Sequence, residues 1–171
     1  MKTADLKLRK EMSTLIGAVW AENLRLSRSG LVLFTWGNVS AIDRRAGLVA
    51  IKPSGVPYAS LRADDIVLTD LDGQAQASGL TPSSDLPTHL RLYRAFETVG
   101  AVVHTHSTYA TAFAQACRDV PCLGTTHADL FNGRVPVTAR MTAAEIACDY
   151  EAKTGDVVVR TFRRLRLDGL T

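Results

Sequence analysis

The sequence predicts a mixed α/β domain, and three observations carry that reading. A long N-terminal stretch repeats apolar residues at helical spacing. Three short apolar, β-branched or aromatic runs then follow, separated by turn residues. A proline-led amphipathic stretch finally leads into a fourth apolar run ending in two histidines. At 171 residues there is chain enough for one domain with a sizeable core, and 46% apolar with 22% charged residues is a globular composition. Because turns link successive runs, at least part of the sheet must be antiparallel.

Each element has a local reason. Met12, Leu15, Ile16, Val19 and Leu24 fall between charged positions at a spacing that predicts an amphipathic helix over 4–26, ended by Ser-Arg-Ser-Gly. The runs 31–36 and 48–51, with the turn-like Asp43-Arg-Arg-Ala-Gly47 between them, read as a hairpin. Residues 66–71 form a further strand, closed by the tight turn Asp72-Gly73. Pro87 suits a first helical turn, and Leu86, Leu90, Tyr93 and Phe96 make one stripe of the helix that follows. Residues 100–103 read as a buried strand, and 109–116 as a small-residue helix packed closely on the sheet. Thr142-Ala-Ala-Glu145 is a capping box that opens another helix. From Val157 onward, strand propensity competes with the helical spacing of Val158, Phe162 and Leu165, and the spacing favours a helix.

Composition excludes several classes. The net charge of +3 is small and much of it comes from Arg160, Arg163, Arg164 and Arg166, a cluster that reads as a solvated helix face. No nucleic-acid partner is expected. Cys117, Cys122 and Cys148 are odd in number and lack C-x-x-C spacing, which argues against a disulfide framework or a thiolate zinc site and fits a reducing cytoplasm. The opening residues lack an apolar signal core, and no apolar run approaches bilayer length, so neither export nor a membrane partner is expected.

The chemistry gathers in two places. In a strand, His104 and His106 leave on the same side about 7 Å apart along the backbone, so they are either a chelating pair or two unrelated imidazoles. Asp85, just before Pro87, reads equally as a helix cap and as a third ligand. Two imidazoles and a carboxylate suit zinc or a similar divalent cation. The turns Thr35-Trp-Gly-Asn-Val-Ser40, Lys52-Pro-Ser-Gly55 and Thr81-Pro-Ser-Ser-Asp85 are each ordinary turn chemistry taken singly. Together they offer backbone N–H groups, hydroxyls and the Lys52 charge to a small phosphorylated ligand.

Five stretches in order, TWGNVSA, IKPSGVPY, SSDLPTH, VVHTHS and GTTHADLF, resemble the class II aldolase/adducin family from about residue 24 to residue 167. Asp85, where related fuculose-phosphate aldolases carry Glu, directs the resemblance to the branch of 4-epimerases acting on L-ribulose 5-phosphate. The resemblance implies a three-layer α/β/α domain around a central mixed, largely antiparallel sheet, spanning 1–171 as a single domain that is incomplete at its C-terminus. It implies a divalent metal, usually zinc, on Asp85, His104 and His106, with a further histidine nearer the C-terminus. It gives Asn38, Lys52, Ser54, Gly55, Ser83 and Ser84 to the phosphate and hydroxyls of a sugar phosphate, and an acid/base role to Asp129. The implied reaction interconverts L-ribulose 5-phosphate and D-xylulose 5-phosphate, by retro-aldol cleavage between C3 and C4 and re-addition on the other face of the aldehyde. The implied assembly is a homotetramer with active sites between neighbours.

The family's last metal histidine and an acid/base tyrosine lie past Thr171, and His89 and His127 match no ligand position. Losing a ligand is expected to weaken metal binding by at least the 10- to 100-fold typical of a lost supporting contact. Weak zinc affinity and slow turnover are therefore expected of the 171-residue chain. The rival readings are an inactive remnant or adducin-like association module, and an aldolase or dehydratase acting on another sugar phosphate.

Overall fold

Apolar residues three or four apart make the N-terminal segment helical in the computed structural model, which describes residues 3–76, 79–131 and 133–166. The helix is realised as two, α1 (Thr3–Glu11) and α2 (Ser13–Arg28). Their hydrogen-bond ladder runs on through the break, because Met12 N–H donates to Leu8 and Ile16 N–H to Met12. α2 supplies the buried residues Ile16, Val19, Asn23 and Leu26, and Leu8 of α1 packs against the same core half-buried.

The sheet comprises β1 (Asn38–Asp43), β2 (Leu48–Ile51), β3 (Val67–Asp70), β4 (Ala75–Gln76) and β5 (Ala101–His104). Its order is β4-β3-β2-β1-β5, and every pairing is antiparallel. All four residues of β2 are buried, because helices cover both faces. Ala50 and Leu68 pack with Ile16 and Val19 of α2 on one side. On the other, Val49, Ile51 and Val67 meet Leu86, Leu90 and Tyr93 of α3 (Leu86–Ala95). The result is the expected α/β/α layering.

A buried amide locks α2 to the sheet. Asn23 Nδ2 donates to Val19 O and Val39 O, and Asn23 Oδ1 accepts from Val39 N–H at 2.9 Å. The side chain thus pairs with β1 as a piece of backbone would.

Two of the strand expectations are corrected. Residues 31–36 are not a strand, since Phe34 has φ +53° and Trp36 N–H donates to Leu33 O in a turn. Gly37 then permits a close approach: at φ +94°, a Cβ there would stand 2.6 Å from Val32 Cγ1 and 3.0 Å from His104 O. Tertiary packing overrides strand propensity here, and the hairpin instead joins β1 to β2. The strand at 100–103 is also not buried. β5 pairs with β1 alone among the described residues and leaves Val103 57% exposed.

Beyond β5 come α4 (Thr108–Gln115), α5 (Thr125–Leu130) and α6 (Ala143–Ala147). None of the three contains a buried residue, so the expected close packing of the 109–116 helix on the sheet is not found. The capping box is made: Glu145 N–H donates to Thr142 Oγ1 at 3.2 Å and Thr142 N–H to Glu145 Oε2 at 2.8 Å. The helical spacing after Val157 wins, giving α7 (Tyr150–Leu165), which packs on α3. Gly155 makes that crossing possible, since a Cβ there would meet Arg91 Cβ at 2.6 Å. No helix among the described residues is long and apolar enough to cross a membrane.

Candidate active site

Two hydroxyl-bearing turns are laced together by their main chains. Ser54 N–H donates to Thr81 O at 2.9 Å and Ser83 N–H to Lys52 O at 3.0 Å, with Pro53 bridging Pro82. They form one wall of a cavity of about 430 Å³ that contains Lys52, Ser54, Gly55, Ser83, Ser84 and Asp85. The turn 35–37 and Asn38 close the other side, with His106 at the end. Tyr58 ties the walls together, its hydroxyl donating to Gly37 O at 2.6 Å.

Lys52 gives the cavity its charge. It is 2% exposed, and among the described residues its Nζ finds Pro53 O at 3.4 Å and the Tyr58 ring face at 4.8 Å. Among the described residues no carboxylate pairs with it. Burial lowers its pKa and raises that of Tyr58 to about 12. An unpaired buried ammonium beside hydroxyls and turn N–H groups attracts an anion.

Asp85 does not act as the helix cap that the sequence allowed. It stands at the N-cap of α3, yet its side chain makes no cap hydrogen bond. Its Oδ2 instead accepts from Asn38 Nδ2 at 2.7 Å and Ser83 Oγ at 3.2 Å. Asn38 is 1% exposed and lies opposite His104 in the β1–β5 register. Its Oδ1 is buried without a partner among the described residues.

The two imidazoles converge. His104 Nε2 and His106 Nε2 are 2.9 Å apart at the end of β5, and His106 N–H is fixed to Leu31 O. Trp36 lies against His106, ring centroids 5.6 Å apart. Burial lowers the pKa of His104, with Asp85 opposing that shift and His106 adding to it. Two nitrogens on one tetrahedral zinc stand about 3.3 Å apart, so this pair fits a divalent cation after opening by a few tenths of an ångström. Asp85 is in electrostatic reach, but its Oδ2 is committed to Asn38 and Ser83. Among the described residues no three His, Cys, Asp or Glu side chains are gathered into a group able to hold a metal ion.

All six residues expected to hold substrate line this one cavity, with Asp85 and His106. Asp129 does not. It is exposed on α5 and absent from the cavity wall. Sequence reasoning also missed Ser40, His89 and Tyr93, which are buried directly behind the site. Their signal was present: Ser40 lies two residues after Asn38 on the same strand face, and His89 and Tyr93 follow Asp85 at four-residue intervals.

This layered domain, with its cation-bearing cavity beside a histidine pair, belongs to a defined class. The chain is a member of the Class II Aldolase and Adducin N-terminal domain family, whose model matches residues 18–167. It is 53% identical over 150 residues to the L-ribulose-5-phosphate 4-epimerase UlaF of Salmonella paratyphi C (strain RKS4594), and equally to that of Salmonella choleraesuis (strain SC-B67). Those matches cover 88% of this chain, which spans 66% of the length of these curated relatives. A solved L-fuculose 1-phosphate aldolase is similar at a TM-score of 0.71 and 28% identity, over 84% of this chain and 68% of that one.

Proposed function

We propose that the chain is a metal-dependent L-ribulose-5-phosphate 4-epimerase acting in pentose catabolism in the cytoplasm. The observation that carries this reading is the cavity, where Asn38, Ser54, Gly55, Ser83 and Ser84 surround the unpaired Lys52 beside His106. The 53% identity to the 4-epimerase UlaF supports the choice of substrate.

The roles follow from the chemistry of each group. Lys52 and the laced turns hold the phosphate, so a fragment freed by carbon–carbon cleavage stays in register for re-addition. Asp85, His104 and His106 would hold the cation, Asp85 giving up part of its hold on Asn38. When bound, a divalent cation such as zinc supplies Lewis-acid stabilisation of negative charge on the substrate's oxygens. Asn38 gives both amide hydrogens to Ser83 and Asp85 and has its unpartnered carbonyl left for a substrate hydroxyl. Asp129, exposed on α5, serves as the acid/base of a neighbouring copy's cavity in a homo-oligomer.

Zinc-dependent interconversion of L-ribulose 5-phosphate and D-xylulose 5-phosphate tests the reading, run beside cleavage of L-fuculose 1-phosphate. Slow epimerisation that a chelator removes and excess zinc restores is the expected outcome, with Lys52→Met raising KM about tenfold or more. Cleavage of the fuculose phosphate alone, or no binding of either pentulose phosphate, overturns it.

A further inference from the structure

Asn38 and Ser40 leave the same face of β1, and Asp85, His89 and Tyr93 share one face of α3 and its N-cap. Strand and helix therefore meet in a polar seam. At its outer end, Asn38 Nδ2 donates to Asp85 at 2.7 Å. At its inner end, Ser40 Oγ lies 2.7 Å from His89 Nδ1 and 2.6 Å from the Tyr93 hydroxyl. Ser40 and His89 are wholly buried and Tyr93 nearly so. His89 Nε2 is buried with no partner among the described residues.

Proton counting fixes the direction of this relay. With the proton on Nδ1, His89 would donate to Ser40 and Ser40 to Tyr93. That order leaves both the Tyr93 proton and the Nε2 lone pair buried and unused. In the reverse order Tyr93 donates to Ser40 and Ser40 to Nδ1, so both hydroxyl protons are used and only Nε2–H lacks a partner. Because each buried orphan is costly, the reverse order is favoured. The charged groups that act on His89 are Asp85 and His104, which belong to the candidate metal site. Asp85 Oδ2 already accepts two hydrogen bonds, while no described side chain donates to Oδ1.

We infer that His89 is a positioning residue: Tyr93 and Ser40 lock its imidazole with the proton on Nε2, and that N–H, buried without a hydrogen-bond partner among the described residues, steadies the Asp85 carboxylate through its field from behind the cavity. The consequence for metal rests on the function proposed above; the tautomer does not.

Nitrogen-15 edited NMR of the imidazoles in the intact chain reads the lock directly. His89 is expected to show a protonated Nε2 and an acceptor-type Nδ1, and a proton on Nδ1 overturns the inference. Asp85→Asn is expected to move the His89 Nε2–H resonance upfield, and an unmoved resonance overturns the electrostatic coupling of the two groups. Zinc competition titrations then separate support from bulk. His89→Asn places its amide where Nδ1 was and reaches nothing at Nε2, so zinc affinity is expected to fall about 10- to 100-fold. His89→Gln returns an N–H to the Nε2 position and should retain most of the affinity; equal losses in the two variants overturn the positioning role. If the unmodified chain takes up no zinc, the metal reading fails, while the NMR still decides His89.

Discussion

The body of the domain and the arm that follows β5 are built differently. From Ile16 to Phe96, and again from Ala152 to Thr161, side chains are buried on both faces of the sheet. Between Glu97 and Glu151 no described residue is buried, and Leu123 and Leu130 are 87% and 88% exposed. Yet the arm has sound local structure, including a made capping box and a Val120–Val135 bridge. The difference teaches that local signals suffice to draw helices, whereas a core needs partners on both sides. Asp129 sits on the arm and stands away from a cavity whose wall, His106 apart, is supplied by the body.

The sharpest way to break this comparison is to truncate one leucine in each region. Leu68→Ala, wholly buried against α2, should cost about 2–5 kcal/mol in urea unfolding. Leu130→Ala on the arm should stay within about 0.5 kcal/mol; similar losses at the two sites would erase the distinction.

A smaller effect comes from pH. Burial lowers the His89 pKa from 6.5 to about 4, with Asp85 opposing and His104 adding to the shift. The unfolded chain therefore binds the proton first. His89 contributes stability that is fully present above pH 6.5 and is lost as pH falls toward 4, up to about 3 kcal/mol. Unfolding midpoints at pH 7, 5.5 and 4.5 should fall less steeply in His89→Gln; parallel slopes would show that the body holds no such group.

Smaller still, Thr142→Ala removes the oxygen that accepts the Glu145 N–H and should cost about 1 kcal/mol. Amide exchange should locate that loss in α6, leaving β2 unaffected. Faster exchange in β2 would join arm and body into one cooperative unit.

The body was legible because its signals are local. Pro87 and the Leu86, Leu90 and Tyr93 stripe drew α3, and alternating burial of Ala50 against Val49 and Ile51 follows from strand periodicity. Turn chemistry and an H-x-H pair are visible without neighbours, whereas the choice of individual site residues rested on the family resemblance. What escaped notice depended on contacts distant in sequence. The run 31–36 has strand propensity, but its turn is set by Tyr58 and by the approach of His104 to Gly37. The exposure of β5 reflects how many strands flank it, which its own residues do not encode. Asn23 reads as a polar residue in a helix and gives no hint that it would pair with β1.

The clasp between the turns at 52–55 and 81–85 is made by main-chain groups. Almost any side chain can therefore occupy positions 54 and 83 without undoing it, proline excepted because it has no N–H to give. Mutation can retune what the pocket grips while the frame keeps its spacing, so new ligand preferences are open to this scaffold at little cost in folding.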